Sequence, residues 1–235
     1  MTAPSGRPRT VAIIPARGGS KRLPGKNLTL FDSRPLVVHS VEYALAHPAV
    51  DSVYVSTDDA DIAEVARRSG ARVIDRPTEL AGDHATTSET LRHALGATEH
   101  PQQIDLVVTL QPTSPLRLPS WLDECLARLT DPRVDSAITV SPSPLKVGTV
   151  DDGIFRPDYE LETRSQDIAP RFAENGLLYV TRSRCIAAGT VFGRRIAAVV
   201  IDHPFGMVDV DEAADLILAE GLLHAFRDAP GRSPE

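Results

Sequence analysis

The sequence predicts an α/β fold built on a doubly wound, largely parallel sheet, and three observations predict it. Short apolar runs alternate with stretches of helical periodicity between Val11 and Asp75, a β-α-β-α-β order that favours parallel pairing. The first run, Val11-Ala12-Ile13-Ile14, shows no polar alternation and suits a strand buried on both faces. No internal repeat and no Pro-, Gly- or Ser-rich linker divides the 235 residues, so one domain with a full core is expected.

The first strand ends at Pro15, and the loop after it is the most informative stretch of the chain. Arg17, Lys21, Arg22 and Lys26 crowd into ten residues beside Gly18, Gly19 and Gly25, which let backbone N–H groups approach a ligand closely. Most charge runs are solvated turns. This one lies directly after the first buried strand, at the expected carboxyl edge of a parallel sheet, which favours a polyphosphate site. It is not a P-loop, because Gly25-Lys26 is followed by Asn27 rather than Ser or Thr, and no GxGxxG is present.

Residues 36–46 carry apolar positions at helical spacing. Next come a strand over 51–56, a helix over 59–69 stopped by Gly70 and a strand over 72–75. Thr86 with Glu89 forms a capping box that opens a helix running to about residue 97. A strand over 105–110 leads into Gln111-Pro112-Thr113-Ser114-Pro115-Leu116-Arg117, where two prolines impose a rigid, extended turn. Residues 121–129 are helical and 135–141 form another strand. The pattern then loosens over 142–170, too long for an ordinary connection.

In residues 175–180, strand alternation puts Leu177 and Tyr179 on one face and Leu178 and Val180 on the other. Tyr179 either fills the core with its hydroxyl tied off or lines a pocket. A strand over 197–201 precedes Val208-Asp209-Val210-Asp211 and a helix through residue 220. In an extended segment Asp209 and Asp211 project to one side, a hard-oxygen pair suited to Mg²⁺. Asp211 also reads as a cap for that helix.

Composition sets the outer bounds. A hydrophobic content of 42% and a charged content of 24% are ordinary for a globular chain. The net charge of −7 argues against a nucleic-acid partner and marks the basic loop as a local device. Cys125 and Cys185 lack ligand spacing and read as buried thiols in a reducing cytoplasm. No apolar run approaches membrane-spanning length. Residues 1–9 read as a disordered leader, 10–227 as the domain and 228–235 as a disordered tail.

The pattern Ala16-Arg17-x-x-Ser20-Lys21-x-x-x-x-Lys26-Asn27 resembles the signature of the acylneuraminate cytidylyltransferases, the CMP-sugar synthetases. The related 3-deoxy-manno-octulosonate enzymes usually end this loop in Lys-Pro. The string LQPTSPLR, Pro144-Leu145-Lys146, Asn175-Gly176-x-x-Tyr179 and Asp209-x-Asp211 extend the resemblance from residue 11 to about residue 220. It implies a Rossmann-like sheet of the nucleotidyltransferase type, with 142–170 as an antiparallel excursion that embraces a second subunit in a homodimer. It implies attack of a sugar-acid hydroxyl on the α-phosphate of CTP, with Mg²⁺ held by Asp209 and Asp211. Arg17, Lys21, Gln111 and Asp211 would carry the chemistry. Ala16, Arg17, Gly18, Ser20, Lys26, Asn27, Arg76 and Thr87 would contact the nucleotide. Gln111, Lys146, Asn175, Tyr179 and Phe192 would meet the sugar.

Two other readings fit a fold of this kind. One is a nucleotidyltransferase acting on a non-sialic acceptor such as another sugar, a sugar phosphate or a phosphonate. The other is a nucleotide-binding homologue without catalysis, which predicts damage to the phosphate loop or the Asp pair; both are intact. One departure from the family stands out. Its members typically carry an arginine directly before the Gln aligned with Gln166 and another two residues before the Asn aligned with Asn175. Here those positions are Ser165 and Ala173. At roughly 1.5–3 kcal/mol per charged hydrogen bond, losing two weakens recognition of a nine-carbon sugar acid. Arg164 and Arg171 lie one and two positions away, and the two-residue offset makes Arg171 the expected stand-in.

Overall fold

The computed structural model of the chain describes residues 6–143 and 146–228. The chain opens with β1 (Thr10–Pro15), a small hairpin of β2 (Leu30–Phe31) and β3 (Arg34–Pro35), α1 (Leu36–Ala46), β4 (Ser52–Thr57), α2 (Ala60–Arg68) and β5 (Arg72–Asp75). It continues through α3 (Thr87–Gly96), β6 (Leu106–Thr109), α4 (Ser120–Arg128), β7 (Ser136–Pro142), β8 (Gly148–Asp151) and β9 (Ile154–Pro157). It closes with β10 (Phe172–Arg182), α5 (Ser183–Ala187), β11 (Ile196–Val200) and α6 (Ala213–Arg227). Seven strands form one sheet in the order β11-β7-β10-β6-β1-β4-β5, and within it only β10 runs antiparallel to its neighbours.

β1 sits between β4 and β6, and its side chains divide between two apolar layers. Ala12 and Ile14 pack with Val37, Val53 and Val55, whereas Val11 and Ile13 pack with Tyr54, Leu91 and Val107. That division explains why the strand shows no polar alternation. From β1 the chain winds outward through β4 and β5, then returns across β1 to lay down β6 on its other side. The reversal opens a crevice at the carboxyl ends of β1 and β6, the position where doubly wound sheets take their ligands.

The expected capping box is present, with Thr86 and Glu89 satisfying each other's N–H groups at the start of α3. Several expectations need correction. Arg7 and Arg9, expected in a disordered leader, are tied down: Arg7 pairs with Asp51 at 2.6 Å, and the Arg9 N–H donates to Asp105 at 2.8 Å. Residues 1–5, 144, 145 and 229–235 lie outside the described residues. Asp211 does not cap α6. The N-cap is Glu212, and the Asp215 carboxylate accepts the N–H groups of Asp211 and Glu212, both at 2.8 Å.

The loose stretch after β7 holds the antiparallel pair β8–β9, an arm separate from the main sheet. Strict alternation fails in β10, because the register slips between Glu174 and Tyr179 and Gly176 takes φ +70°. Leu177, Leu178 and Val180 all belong to one core cluster, which does not include Tyr179. Asn175 braces this irregularity. Its Oδ1 accepts from the Thr139 hydroxyl at 2.6 Å and the Leu177 N–H at 3.2 Å, and its Nδ2 donates to the Ser141 hydroxyl at 3.0 Å.

Gly176→Ala is expected to cost about 1–2 kcal/mol, the penalty for an L-residue held in the left-handed region. A denaturant midpoint equal to that of the native protein would show that the bulge relaxes without strain.

Candidate active site

The crevice between β1 and β6 holds a cavity of about 300 Å³. Its wall is assembled from four segments. The loop after β1 supplies Arg17, Ser20, Lys26 and Asn27; the segment after β5 supplies Arg76, Leu80, Gly82, Asp83 and Ala85. The first turn of α3 adds Thr87 and Thr90, and the turn after β6 adds Gln111, Pro112 and Thr113. The prolines after β6 hold Gln111 at the sheet edge, as their fixed backbone requires.

The loop's four cations are held in two pairs by two carboxylates, Asp83 of the cavity wall and Asp211 from the segment before α6. Asp83 takes Lys21 and, at 3.5 Å, Arg17, whose guanidinium also donates to the carbonyls of Ala81 and Gly82, both at 3.3 Å. Asp211 takes Lys26 at 2.8 Å and Arg22. Burial pushes the Asp211 carboxyl up, but the Lys26 hydrogen bond and the charges of Lys26 and Arg22 outweigh it and leave it below its usual range. Lys21 is 77% exposed and stands on the rim.

The backbone of the loop is equally committed. Ala16 is buried with its N–H on the Ser56 carbonyl at 2.9 Å, so its side chain does not reach the cavity. The Gly18 N–H donates to Asp58 at 3.0 Å, and a Cβ at Gly18 would come within 2.6 Å of an Asp59 oxygen. Asn27 is buried and donates to the Arg17 carbonyl at 2.8 Å. Arg76 is buried, with its guanidinium on the Ser56 carbonyl (2.6 Å) and hydroxyl (3.2 Å); burial lowers its pKa.

On the other side of Gln111, its Nε2 donates to the Tyr179 hydroxyl at 3.4 Å, and that hydroxyl donates to Glu174. Burial, then the Glu174 hydrogen bond, push the Tyr179 hydroxyl well above its usual range. Its ring meets Phe192 edge-on at 5.3 Å. Tyr179 is therefore a buried ring with its hydroxyl tied off, and it does not line the cavity itself but bonds to Gln111, which does.

Of the six residues expected at the sugar only Gln111 lines this cavity; Tyr179 meets it through Gln111 and Phe192 through Tyr179, and the other three are held elsewhere. Asn175 is consumed in bracing β10. Lys146 donates to the Thr163 carbonyl at 2.6 Å and lies over the Tyr159 ring. Arg171 precedes β10 and pairs with Asp158 at 2.6 Å, so it does not occupy the place of a side chain at 173. The last two are held by their own arm. Sequence reasoning assigns no role to Asp83, Glu174 or Arg117. Arg117 does carry a signal, being the one charge in a proline-rich apolar string.

Val208 and Val210 are buried and Asp209 is exposed, which sends Asp209 and Asp211 outward together. Among the described residues no group of three or more His, Cys, Asp or Glu converges as a cation site. Two carboxylates beside a basic loop fit a Mg²⁺ that draws its other ligands from phosphate and water.

A parallel sheet with a basic loop and an amide-bearing turn meeting at its switch point defines a nucleotide-handling α/β enzyme of the nucleotidyltransferase type. A family model described as cytidylyltransferase matches residues 11–192, and the chain belongs to that family. It is 31% identical to the CMP-N,N'-diacetyllegionaminic acid synthase of Legionella pneumophila over 94% of this chain and 99% of that one. It is 30% identical to the N-acylneuraminate cytidylyltransferase of Streptococcus agalactiae, covering 97% of this chain but 56% of that longer protein. Among solved structures, a CMP:2-keto-3-deoxy-manno-octonic acid synthetase superposes with a TM-score of 0.70 at 22% identity, over 93% of this chain and 99% of that one. At that identity the likeness speaks for the fold.

Lys26→Ala is expected to raise the Asp211 pKa, because burial would then be opposed by Arg22 alone. A carboxyl-carbon NMR titration reads this directly; an unmoved Asp211 would mean that Lys26 does not hold it.

Proposed function

We propose that the chain transfers CMP from CTP to a hydroxyl of a sugar acid of the nonulosonate class, releasing pyrophosphate and giving an activated CMP-sugar. The observation that carries this is the convergence of the basic loop, Arg76 and Gln111 on one cavity at the switch point. The legionaminic acid synthase matched along its full length supports the acceptor class.

Transfer at the α-phosphate asks for in-line placement and neutralisation of charge rather than a side-chain nucleophile. Arg17 and Lys26 line the cavity and Lys21 stands at its rim, so the triphosphate would take over cations now paired with Asp83 and Asp211. Ser20 lines the cavity and would meet the phosphates, while Gly18, its N–H held by Asp58, would serve by letting the loop pass close to Asp59. Asn27, Arg76 and Thr87 receive the nucleoside, with Ala16 contributing main chain only. Gln111 stands between nucleotide and acceptor, steadied by Tyr179 and Phe192. Asp209 and Asp211 would hold Mg²⁺, which when bound offsets charge on the departing pyrophosphate.

The arm bears exposed Val150, Ile154, Phe155 and Leu161, a surface apolar enough to seat a second subunit. A homodimer would bring Lys146 and Arg171 of one arm toward the partner's cleft; light scattering that finds an active monomer would exclude it. Two buried, unpaired cysteines suit a cytoplasmic enzyme. Among the described residues no helix is long and apolar enough to cross a membrane.

The reading is tested by pyrophosphate release from each of the four nucleotides against a panel of sugar acids. CTP with a modified nonulosonate is expected to be best and N-acetylneuraminate poor, given Ser165 and Ala173. Ser165→Arg/Ala173→Arg is expected to improve N-acetylneuraminate, and efficient native turnover of that sugar would show that the departure carries no selectivity. Arg17→Ala and Lys21→Ala should each lower turnover by about two to three orders of magnitude, as loss of a transition-state charge partner does. Near-native rates in both would remove the loop from the mechanism.

Asp209→Asn and Asp211→Asn should abolish Mg²⁺-dependent turnover with the fold retained, since α6 is capped by Glu212 and Asp215. Unfolding of Asp211→Asn together with a silent Asp209→Asn would make the pair structural.

A further inference from the structure

Arg117 ends the two-proline turn and is buried, and no carboxylate lies within ion-pair distance of it among the described residues. Its guanidinium is satisfied in three directions. Nε donates to the Leu177 carbonyl at 2.7 Å, one terminal nitrogen to the Gln111 carbonyl at 2.7 Å, and the other to the Ser40 hydroxyl at 3.1 Å. The Tyr43 ring lies 5.8 Å below. These partners belong to α1, the turn after β6, and β10 immediately past Gly176.

A charge buried without a counter-ion is costly, so its retention calls for something an apolar residue cannot do. What the guanidinium does is tie two carbonyls on separate segments to one rigid plane. Lysine, a point donor on a flexible stem, cannot span them. One of those carbonyls belongs to Gln111, whose side chain enters the cavity. The other belongs to the strand carrying Tyr179, whose hydroxyl receives the Gln111 amide. Gln111 is thus fixed at its main chain by Arg117 and at its amide by Tyr179, which Glu174 in turn orients. Burial brings the Arg117 pKa down to about 10, so it remains a cation at neutral pH.

We propose that Arg117 is a positioning residue that sets the entry of the Gln111 side chain into the cleft and keeps the turn after β6 in register with β10. The inference rests on the cleft being the CTP site. The carbonyl tie acts on geometry rather than on nucleotide charge, so its loss should fall on turnover more than on CTP binding.

The test is a double-mutant cycle of Arg117→Lys and Gln111→Ala, assayed well below each variant's melting temperature and normalised to folded protein. Arg117→Lys is expected to lower kcat about tenfold with the KM for CTP changed less than threefold. In the Gln111→Ala background it should change kcat less than twofold. A kcat within twofold of native, or costs that multiply fully in the double variant, would overturn the proposal. If Arg117→Lys does not fold, Ser40→Ala, which frees one corner of the fork and removes the hydroxyl's own 3.5 Å bond to the Gln111 carbonyl, carries the same cycle with an expected two- to threefold effect.

A second readout does not depend on the acceptor. The ¹⁵N side-chain amide of Gln111 should shift in Arg117→Lys, or in Ser40→Ala, with CTP bound, while those of Gln102, Gln103 and Gln166 stay in place. An unmoved Gln111 amide refutes the positioning role. Absence of turnover by the native protein with every sugar acid refutes only the functional reading, and the amide shift still decides this one.

Discussion

Concentrating positive charge at the carboxyl edge of β1 is the constraint that the rest of the site answers to. Four cations in one loop repel each other unless anions stand among them, and Asp83 and Asp211 do so from two separate segments. Exposed ion pairs hold little energy, so the pairs made by Lys21 and Arg22 exchange readily. The Lys26–Asp211 pair is different: Lys26 is only 15% exposed and Asp211 25%, so that pair is better shielded from water. The loop is therefore organised with its charges in place, and a polyanion drawing on Lys26 would have to break its better-shielded pair as well as the exposed ones. Asp83 and Asp211 thus anchor the loop to the segment after β5 and to the segment before α6.

Much of this is legible in the sequence because it is local. An uninterrupted apolar run, a capping box and two prolines around Thr113-Ser114 each act within a few residues, so β1, α3 and the turn bearing Gln111 can be read directly. The loop residues Arg17, Ser20, Lys26 and Asn27 gather at the cavity because they are neighbours in the chain. What cannot be read is what depends on partners far away. Arg117 is separated from Leu177 by 60 residues and from Ser40 by 77, and no period or spacing predicts such a contact. The cap of α6 is hidden for a related reason. Asp211, Glu212 and Asp215 are all capable of it, and the packing of Val208 and Val210 decides which one turns inward.

β10 shows how one reversed strand reshapes the acceptor side. Inserted antiparallel between β6 and β7, it presents its residues to the cleft in a direction the other strands do not. Its irregularity at Gly176, braced by Asn175, lets Leu177 and Leu178 both bury while Tyr179 still reaches Gln111. The price is an asparagine committed to backbone and hydroxyl partners. A position that resemblance assigns to the sugar thus shapes the strand here.

The same logic bears on acceptor choice. With Ala173 and Ser165 in place of arginines, the nearest ionised group beside the Tyr179 hydroxyl is the Glu174 carboxylate, and the charge of Asp209 is also felt there. Arg171, the expected substitute, is neutralised by Asp158 on the arm. A carboxylate approaching Gln111 from the Tyr179 side would meet the Glu174 carboxylate, whereas on the cavity side Arg17, Lys26 and Arg76 line the wall. The two sides of Gln111 thus differ in charge: basic where the loop after β1 lines the cavity, acidic where Glu174 meets the Tyr179 hydroxyl.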